Sequence, residues 1–376
     1  MEFRDLRRQY DALKQDLDAG IAEVLRSGKF ISGPWVTELE EKLAAYVGRK
    51  YCITCGNGTD ALELALRALD IGAGDAVFVP DFTFFSTGEV VPIVGAMPVF
   101  VDVGLDTYNI SPEMLEEAIC KVLSQGKYRP RAVMAVDLFG QPADYGKILG
   151  IAERYGLYVI EDGAQGFGGS SNGKMACGFG DISTTSFFPT KPLGCYGDGG
   201  AVFTDDEEWA AKIRSLCVHG KSHKGKYDNV RIGMNSRLDS IQAAVLLVKY
   251  RELKEELEKI SAAAENYSNM LAGLVKTPAI IKNCHSAWAQ YTVQFESQQQ
   301  RAYVQDALSR DGIPSMVYYI KPMHEQAAFA GCCMTGCCRN TQKLCETVLS
   351  LPLSPYITQT EQEQVIDCIK RALETT

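Results

Sequence analysis

Between about residue 50 and residue 205 the apolar positions alternate between two periods. Four unbroken apolar runs, "DAVFVPD", "MPVFVDV", "RAVMAVDLFG" and "GLYVIEDGAQ", predict strands buried on both faces. Between such runs, "DALELALRAL" sets Leu62, Ala65, Leu66 and Leu69 at helical spacing, and "SPEMLEEAI" predicts a helix with Ser111 as cap and Pro112 in its first turn. This alternation predicts an α/β fold, a mainly parallel sheet with helices on both faces, in which ligands bind at the carboxyl ends of the strands. From about residue 238 a long helix begins. Leu246, Leu247, Tyr250, Leu253, Leu257 and Ile260 form its apolar stripe, and "RELKEELEK" solvates its other side. Beyond it, "AQYTVQFE" and "GIPSMVYYI" predict strands around the helix "QQRAYVQDALSR". A last helix, "TQTEQEQVIDCIKRAL", has Thr358 and Glu361 at capping-box spacing. No Gly/Ser linker intervenes, so the expected organisation is a large domain over 1–245 and a small C-terminal α/β domain over 246–376, joined by the long helix.

Composition narrows the function class. The 376 residues are 46% hydrophobic, enough for a substantial core. A net charge of −9 without a basic block argues against non-specific nucleic-acid or anionic-membrane binding. The N-terminus "MEFRDLRRQYDALKQDL" has no apolar leader and no run is long enough to span a bilayer, so a soluble cytoplasmic protein is expected. The thirteen cysteines are odd in number and scattered, and reduced thiols are the default. Only "GCCMTGCCRN" clusters them, at Cys332, Cys333, Cys337 and Cys338. Adjacent pairs lack the usual C-x2-C spacing, which favours a variable surface loop over a thiolate metal site.

Candidate chemistry centres on "TTSFFPTKPLGCYGDGGAVFTDD", where Lys191 stands between an apolar strand and a glycine-rich run. A solvated loop lysine is the ordinary reading. A desolvated one loses affinity for its proton and becomes a nucleophile toward aldehydes, as when pyridoxal phosphate is held as a Schiff base. That cofactor needs a carboxylate at its ring nitrogen, a cradle for its phosphate and an apolar face. "LYVIEDGAQGFGG" offers Asp162, with Glu161 as the alternative, and Gln165 for the ring's phenolic oxygen. "CGNGTDALELAL" offers Gly58 and Thr59 at a helix start, where free N–H groups face an anion; a plain turn capped by Thr59 is the other reading. Ser186 adds a hydroxyl, and Phe84 in "PDFTFFST" offers either a stacking face or core packing. A nicotinamide site on "GFGGSSNG" fails the G-x-G-x-x-G spacing.

The segments "NGTDAL", "DFTFFST", "GAMPVFVDV", "VIEDGAQ", "TSFFPTKPLGCYGDGGA" and "NSRLDSIQAA", in that order, make the chain resemble the DegT/DnrJ/EryC1/StrS family of pyridoxal-phosphate-dependent nucleotide-sugar aminotransferases, over nearly its whole length. The look-alikes are UDP-sugar 3-keto aminotransferases of surface-polysaccharide synthesis. The resemblance implies a fold-type-I transferase, like aspartate aminotransferase, forming a homodimer with active sites at the interface. It implies Lys191 as the Schiff-base lysine, Asp162 and Gln165 as ring contacts, Phe84 as the stacking aromatic, and Gly58, Thr59 and Ser186 at the phosphate. Asn235 matches a residue that the partner subunit lends to the phosphate.

On the substrate side the resemblance points to Gly28, Phe30 and Thr190 near the sugar nucleotide, and to Arg237 as a carboxylate fork, a surface ion pair being its ordinary reading. "YYIKP" replaces a "HYPIP"-like segment, so that Tyr318 stands where relatives have histidine and Tyr319 is retained. His324, in "KPMHEQ", matches a family histidine that contacts ligand; a solvated loop histidine is the alternative. The implied reaction moves an amino group from L-glutamate to a 3-keto UDP- or dTDP-sugar, with the 4-keto position as the alternative. Related dehydratases have histidine in place of Lys191, and a non-catalytic regulator on this fold would be expected to lack the lysine or the acid.

Overall fold

The apolar runs form the inner strands of one eight-stranded sheet in the computed structural model, which describes residues 1–222 and 227–374. In chain order the strands that matter here are Tyr51–Cys55 (β1), Asp75–Pro80 (β2), Met97–Val101 (β3), Arg129–Val136 (β4), Tyr158–Asp162 (β5), Ile182–Ser186 (β6), Gly200–Thr204 (β7), Tyr291–Gln294 (β8), Met334–Thr335 (β9) and Val348–Leu351 (β10). The large sheet runs β1-β7-β6-β5-β4-β2-β3-β9. Only β7 is antiparallel to its neighbours; every other pairing in this sheet is parallel. The carboxyl ends of β1, β2, β4, β5 and β6 therefore open on one side.

Helices cover both faces: Leu6–Ser27 (α1), Pro34–Val47 (α2), Gly58–Ala68 (α3), Phe85–Ile93 (α4), Pro112–Gln125 (α5), Tyr145–Tyr155 (α6), Glu207–Leu216 (α7), Ser240–Met270 (α8), Gln298–Arg310 (α9), Arg339–Thr347 (α10) and Gln359–Leu373 (α11). Strand alternation divides the core. In β2, Val77 and Val79 pack with α3, α4 and α7, whereas Ala76 and Phe78 pack with α5 and α6. In β7, Val202 joins the first face, while Ala201 and Phe203 meet α2 and α8 on the other. Burial on both faces explains why these strands read as unbroken apolar runs.

Helix α8 spans two apolar clusters. Leu246, Leu247 and Leu253 pack against α2 and the sheet; Ile260, Ala264 and Tyr267 pack against α9, α11 and the β8–β10 pair. Its start at Ser240, and the caps of α5 by Ser111 and of α11 by Thr358, follow the sequence pattern. The predicted strand "GIPSMVYYI" does not form. Only Met316 bridges Ser350 of β10, after which Tyr318 and Tyr319 turn their rings toward an aromatic cluster with Phe82 and Phe139. The cysteine-rich segment is not a surface loop throughout: Met334–Thr335 adds β9 to the sheet edge beside Val99 and Phe100. No described helix is long and apolar enough to cross a membrane.

The α11 capping box is reciprocal. Thr358 Oγ1 accepts the Glu361 N–H at 3.2 Å, and Glu361 Oε2 accepts the Thr358 N–H at 2.9 Å. Thr358→Ala is expected to lower unfolding stability by about 1 kcal/mol, seen as a lower denaturant midpoint at unchanged slope.

Candidate active site

Each strand that ends on the open side delivers one polar group. After β1 the chain turns at Asn57, whose Oδ1 accepts the Asp60 N–H at 2.8 Å and so caps α3. The cap is thus Asn57, not Thr59. Among the described residues the N–H groups of Gly58 and Thr59 have no acceptor, and the helix dipole adds positive potential there. Thr59 Oγ1 lies 2.7 Å from Ser86 Oγ on α4. A Cβ on Gly58 would stand 2.7 Å from Ser186 Cβ, so only glycine lets the end of β6 lie against this helix start.

Asp162 ends β5 and is buried. Its Oδ2 accepts from Thr87 Oγ1 at 2.8 Å and its Oδ1 from the Ala164 N–H at 3.2 Å. Burial pushes this carboxyl above the usual range; Thr87, the Ala164 N–H and the nearby Lys191 amine oppose that shift. Glu161, the alternative acid, points to the other side of the strand, where its oxygens accept the N–H groups of Cys177 and Phe179, each at 2.6 Å.

Behind Asp162 lies a second acidic group that sequence reading missed. Asp137, past the end of β4, is fully buried; its Oδ1 accepts from Tyr145 Oη at 2.8 Å and the Ala143 N–H at 3.1 Å. Its Oδ2 has no hydrogen-bond partner among the described residues, and Asp137 raises the proton affinity of the nearby Glu161 carboxyl. Burial pushes Asp137 up to about 7 and holds Glu161 well above its ordinary value. No sequence signal pairs these acids, because they belong to different strands.

Lys191 sits on the excursion between β6 and β7. Ser186 pairs with Gly200, and the Phe187 N–H reaches the Gly199 carbonyl at 2.8 Å, so the excursion is closed at its base. Its tip is a turn in which the Lys191 N–H donates to the Phe188 carbonyl at 2.8 Å, and Pro192 is buried immediately after. Burial lowers the Lys191 amine below the ordinary lysine value, while the Asp162 carboxylate acts in the opposite direction. The two groups therefore share one site.

Phe84 caps α4 with its ring 54% exposed, so it is not a core residue, unlike its neighbour Phe82. Gln165 Oε1 accepts the Phe139 N–H at 2.7 Å and its Nε2 donates to Tyr319 Oη at 3.2 Å. Tyr318 lies beside Tyr319, with ring centroids 5.6 Å apart. Ser236 Oγ accepts the Gly56 N–H at 2.8 Å and donates to Asp60 at 2.6 Å, which holds exposed Asn235 and Arg237 near the start of α3. Arg237 makes no ion pair with a described residue. Gly28 and Phe30 are exposed, and the Phe30 carbonyl accepts from the Ser240 N–H at 2.9 Å, which brings this stretch beside Arg237. Thr190 is exposed on the Lys191 turn. His324 is not a solvated loop residue: its Nδ1 is 2.7 Å from buried Asp81.

The chain belongs to the DegT/DnrJ/EryC1/StrS aminotransferase family, whose model matches residues 11–370. It is 45% identical to the UDP-2-acetamido-2-deoxy-3-oxo-D-glucuronate aminotransferase of Pseudomonas aeruginosa, over 95% of this chain and 96% of that one. It superposes on the crystal structure of a family aminotransferase from Brucella abortus with a TM-score of 0.96, at 46% identity and covering 99% of both chains. A Bacillus subtilis protein solved with bound cofactor PMP matches with a TM-score of 0.87 at 33% identity, over 96% of this chain and 82% of that one. The fold is the fold-type-I transferase architecture, and the family cofactor is pyridoxal phosphate. The site fits that group: free N–H donors and hydroxyls at α3, a cradle that a Cβ on Gly58 would fill, a buried carboxylate, an exposed aromatic face and a buried amine.

Two outcomes are expected. Gly58→Ala sets a Cβ 2.7 Å from Ser186 Cβ, so pyridoxal phosphate affinity should fall at least about tenfold and the overpacking should lower stability by about 1–3 kcal/mol, read as a lower melting temperature. Asp137 binds its proton more tightly folded than unfolded, so its stabilising contribution is present at low pH and is lost as pH rises through about 7. Melting temperature should fall across that window, and Asp137→Asn should flatten the slope.

Proposed function

We propose that this chain transfers the amino group of L-glutamate to a 3-keto sugar nucleotide, with a UDP-linked 2-acetamido-3-oxo-uronate as first candidate. The observation that carries the reaction class is half-buried Lys191, whose amine is electrostatically coupled to buried Asp162 at the carboxyl ends of the sheet. The sugar is proposed from the Pseudomonas relative's activity.

In this reading Gly58, Thr59 and Ser186 would hold the phosphate of pyridoxal phosphate, Phe84 would offer its exposed ring as a stacking face and Asp162 would be the carboxylate for the ring nitrogen. The bound cofactor supplies an electron sink for a carbon that has lost its proton. Lys191 takes that proton from the nitrogen-bearing carbon of the substrate and returns it elsewhere, as base and then acid. Its lowered proton affinity keeps more of the amine neutral and ready to accept. Gln165, fixed by the Phe139 N–H and Tyr319, has a second amide hydrogen for the ring's phenolic oxygen. Exposed Arg237 is the carboxylate fork for glutamate or a uronate, with Gly28, Phe30, Thr190, Tyr318 and Tyr319 around the sugar nucleotide. Donor and acceptor use the site in turn, giving ping-pong kinetics.

The proposal includes a homodimer in which Asn235 completes the phosphate site of the partner. Exposed apolar side chains at Phe30, Ile31, Phe84, Phe188, Val230 and Ile232 support an interface.

The purified protein should bind pyridoxal phosphate with a visible absorbance band, and borohydride should fix the cofactor on Lys191. Lys191→Ala should lose turnover by at least about 10³-fold while retaining some cofactor binding. A panel of 3-keto and 4-keto UDP- and dTDP-sugars with glutamate, read as 2-oxoglutarate, should favour the 3-keto UDP-uronate. Turnover confined to 4-keto sugars would reverse the positional assignment, and a protein that binds no pyridoxal phosphate would end the reading.

A further inference from the structure

We propose that Asp81, His324 and Cys338 form a site for one divalent cation of the zinc class, which pins the cysteine-rich segment to the end of β2. Asp81 directly follows β2 and is fully buried. Its Oδ1 accepts the His324 N–H at 2.9 Å, and its Oδ2 lies 2.7 Å from His324 Nδ1. Cys338 is also buried, and one donor atom from each of the three residues lies within 4.8 Å of the others. A tetrahedral zinc ion with bonds of about 2.0–2.3 Å sets its donors roughly 3.3–3.8 Å apart. Seating it requires the Nδ1–Oδ2 gap to open by about half an ångström and the widest gap to close by about one.

An ion pair between Asp81 and His324 accounts for two of these groups, and the buried Cys338 thiol beside them has a weak contact of its Sγ with Thr335 Oγ1 at 3.4 Å. Carboxylate, imidazole and thiolate together suit zinc better than magnesium or calcium, which take oxygen. A cation would also compensate a carboxylate that has no access to water. His324 Nε2 lies 3.9 Å from Glu325 Oε1, where a second carboxylate can orient the ring. Half-buried Cys333 faces the same Asp81 electrostatically and is the nearest candidate for a fourth ligand, with water as the alternative.

The position gives the ion a structural role. The Met323 N–H donates to the Asp81 carbonyl at 3.0 Å, and the segment immediately before it carries Tyr318 and Tyr319. The ion would fasten this segment and the Cys338 turn to one strand end. This inference does not depend on the cofactor or substrate reading.

The test uses the full chain, stripped with chelator and dialysed, then titrated with zinc against a chromogenic chelator. The expected result is about one zinc per chain, with a dissociation constant below about 1 µM and a raised melting temperature. His324→Ala and Cys338→Ser should each weaken binding at least about tenfold, whereas Cys337→Ser, which removes an exposed thiol, should not. His324→Ala removes no thiol and changes a partly exposed side chain, so it serves even where the cysteine variant fails to fold. Absence of tight zinc binding to the parent chain, or tight binding unchanged in His324→Ala, would overturn the proposal.

Discussion

The amine of half-buried Lys191 and the buried carboxylate of Asp162 are electrostatically coupled, and each alters what the other can do. Burial drives both toward their neutral forms, while their mutual attraction drives both toward charge. Aminotransferase chemistry needs them split: a neutral amine to accept protons and a charged acid to hold one on the ring nitrogen. Thr87 and the Ala164 N–H tilt the balance, because both donate to Asp162 and neither reaches Lys191. The acid is stabilised as an anion by fixed dipoles, and the amine is left to desolvation. Burial raises the proton affinity of Asp137 and Glu161 behind it, which favours their neutral forms and limits the negative charge beside Asp162.

The sheet supplies the placement. Because β7 runs against β6, the chain must leave and return at the same end, and Lys191 is carried on that return rather than on a free loop. Two glycines bring the return against the phosphate end. Gly58 abuts Ser186 at the foot of β6, and Gly200 at the start of β7 passes against the Asn57 carbonyl where a Cβ has no room. The proposed phosphate cradle and the lysine loop are thus in close contact, and a shift in one moves the other.

Sequence pattern revealed the strands of the parallel half because two-sided burial leaves continuous apolar runs. Pattern did not reveal α1, whose buried residues are only Gln9, Leu17 and Val24, too few for a clear stripe. It misassigned "GIPSMVYYI", where β-favouring residues are used to fill an aromatic cluster instead of a ladder. In the candidate site, Lys191 and Asp162 stand out in the sequence because their flanking strands and glycines are local signals. Thr87, Ser86 and Asp137 are not legible, since their partners lie on other elements, whereas the Asn57 cap is a local i,i+3 pattern within reach of sequence. The cysteine segment was judged by its own spacing, whereas the groups it meets, Asp81 and His324, come from outside that motif.

The residues proposed for the two functions rest on different supports. Those proposed for the cofactor follow strand ends and helix starts, which hydrogen bonds and backbone contacts lock to the core. Those proposed for the sugar belong to exposed or half-buried stretches around residues 28–30, 190, 237 and 318–319, held by single anchors such as the Ser240 N–H on the Phe30 carbonyl and Ser236 between Gly56 and Asp60. Changing a side chain there costs the core little, while changing Asp162 or Gln165 disturbs buried, hydrogen-bonded groups. On such an arrangement the proposed sugar contacts can vary without disturbing the proposed amine and acid, so motif points to the amine and acid and not to the identity of the sugar.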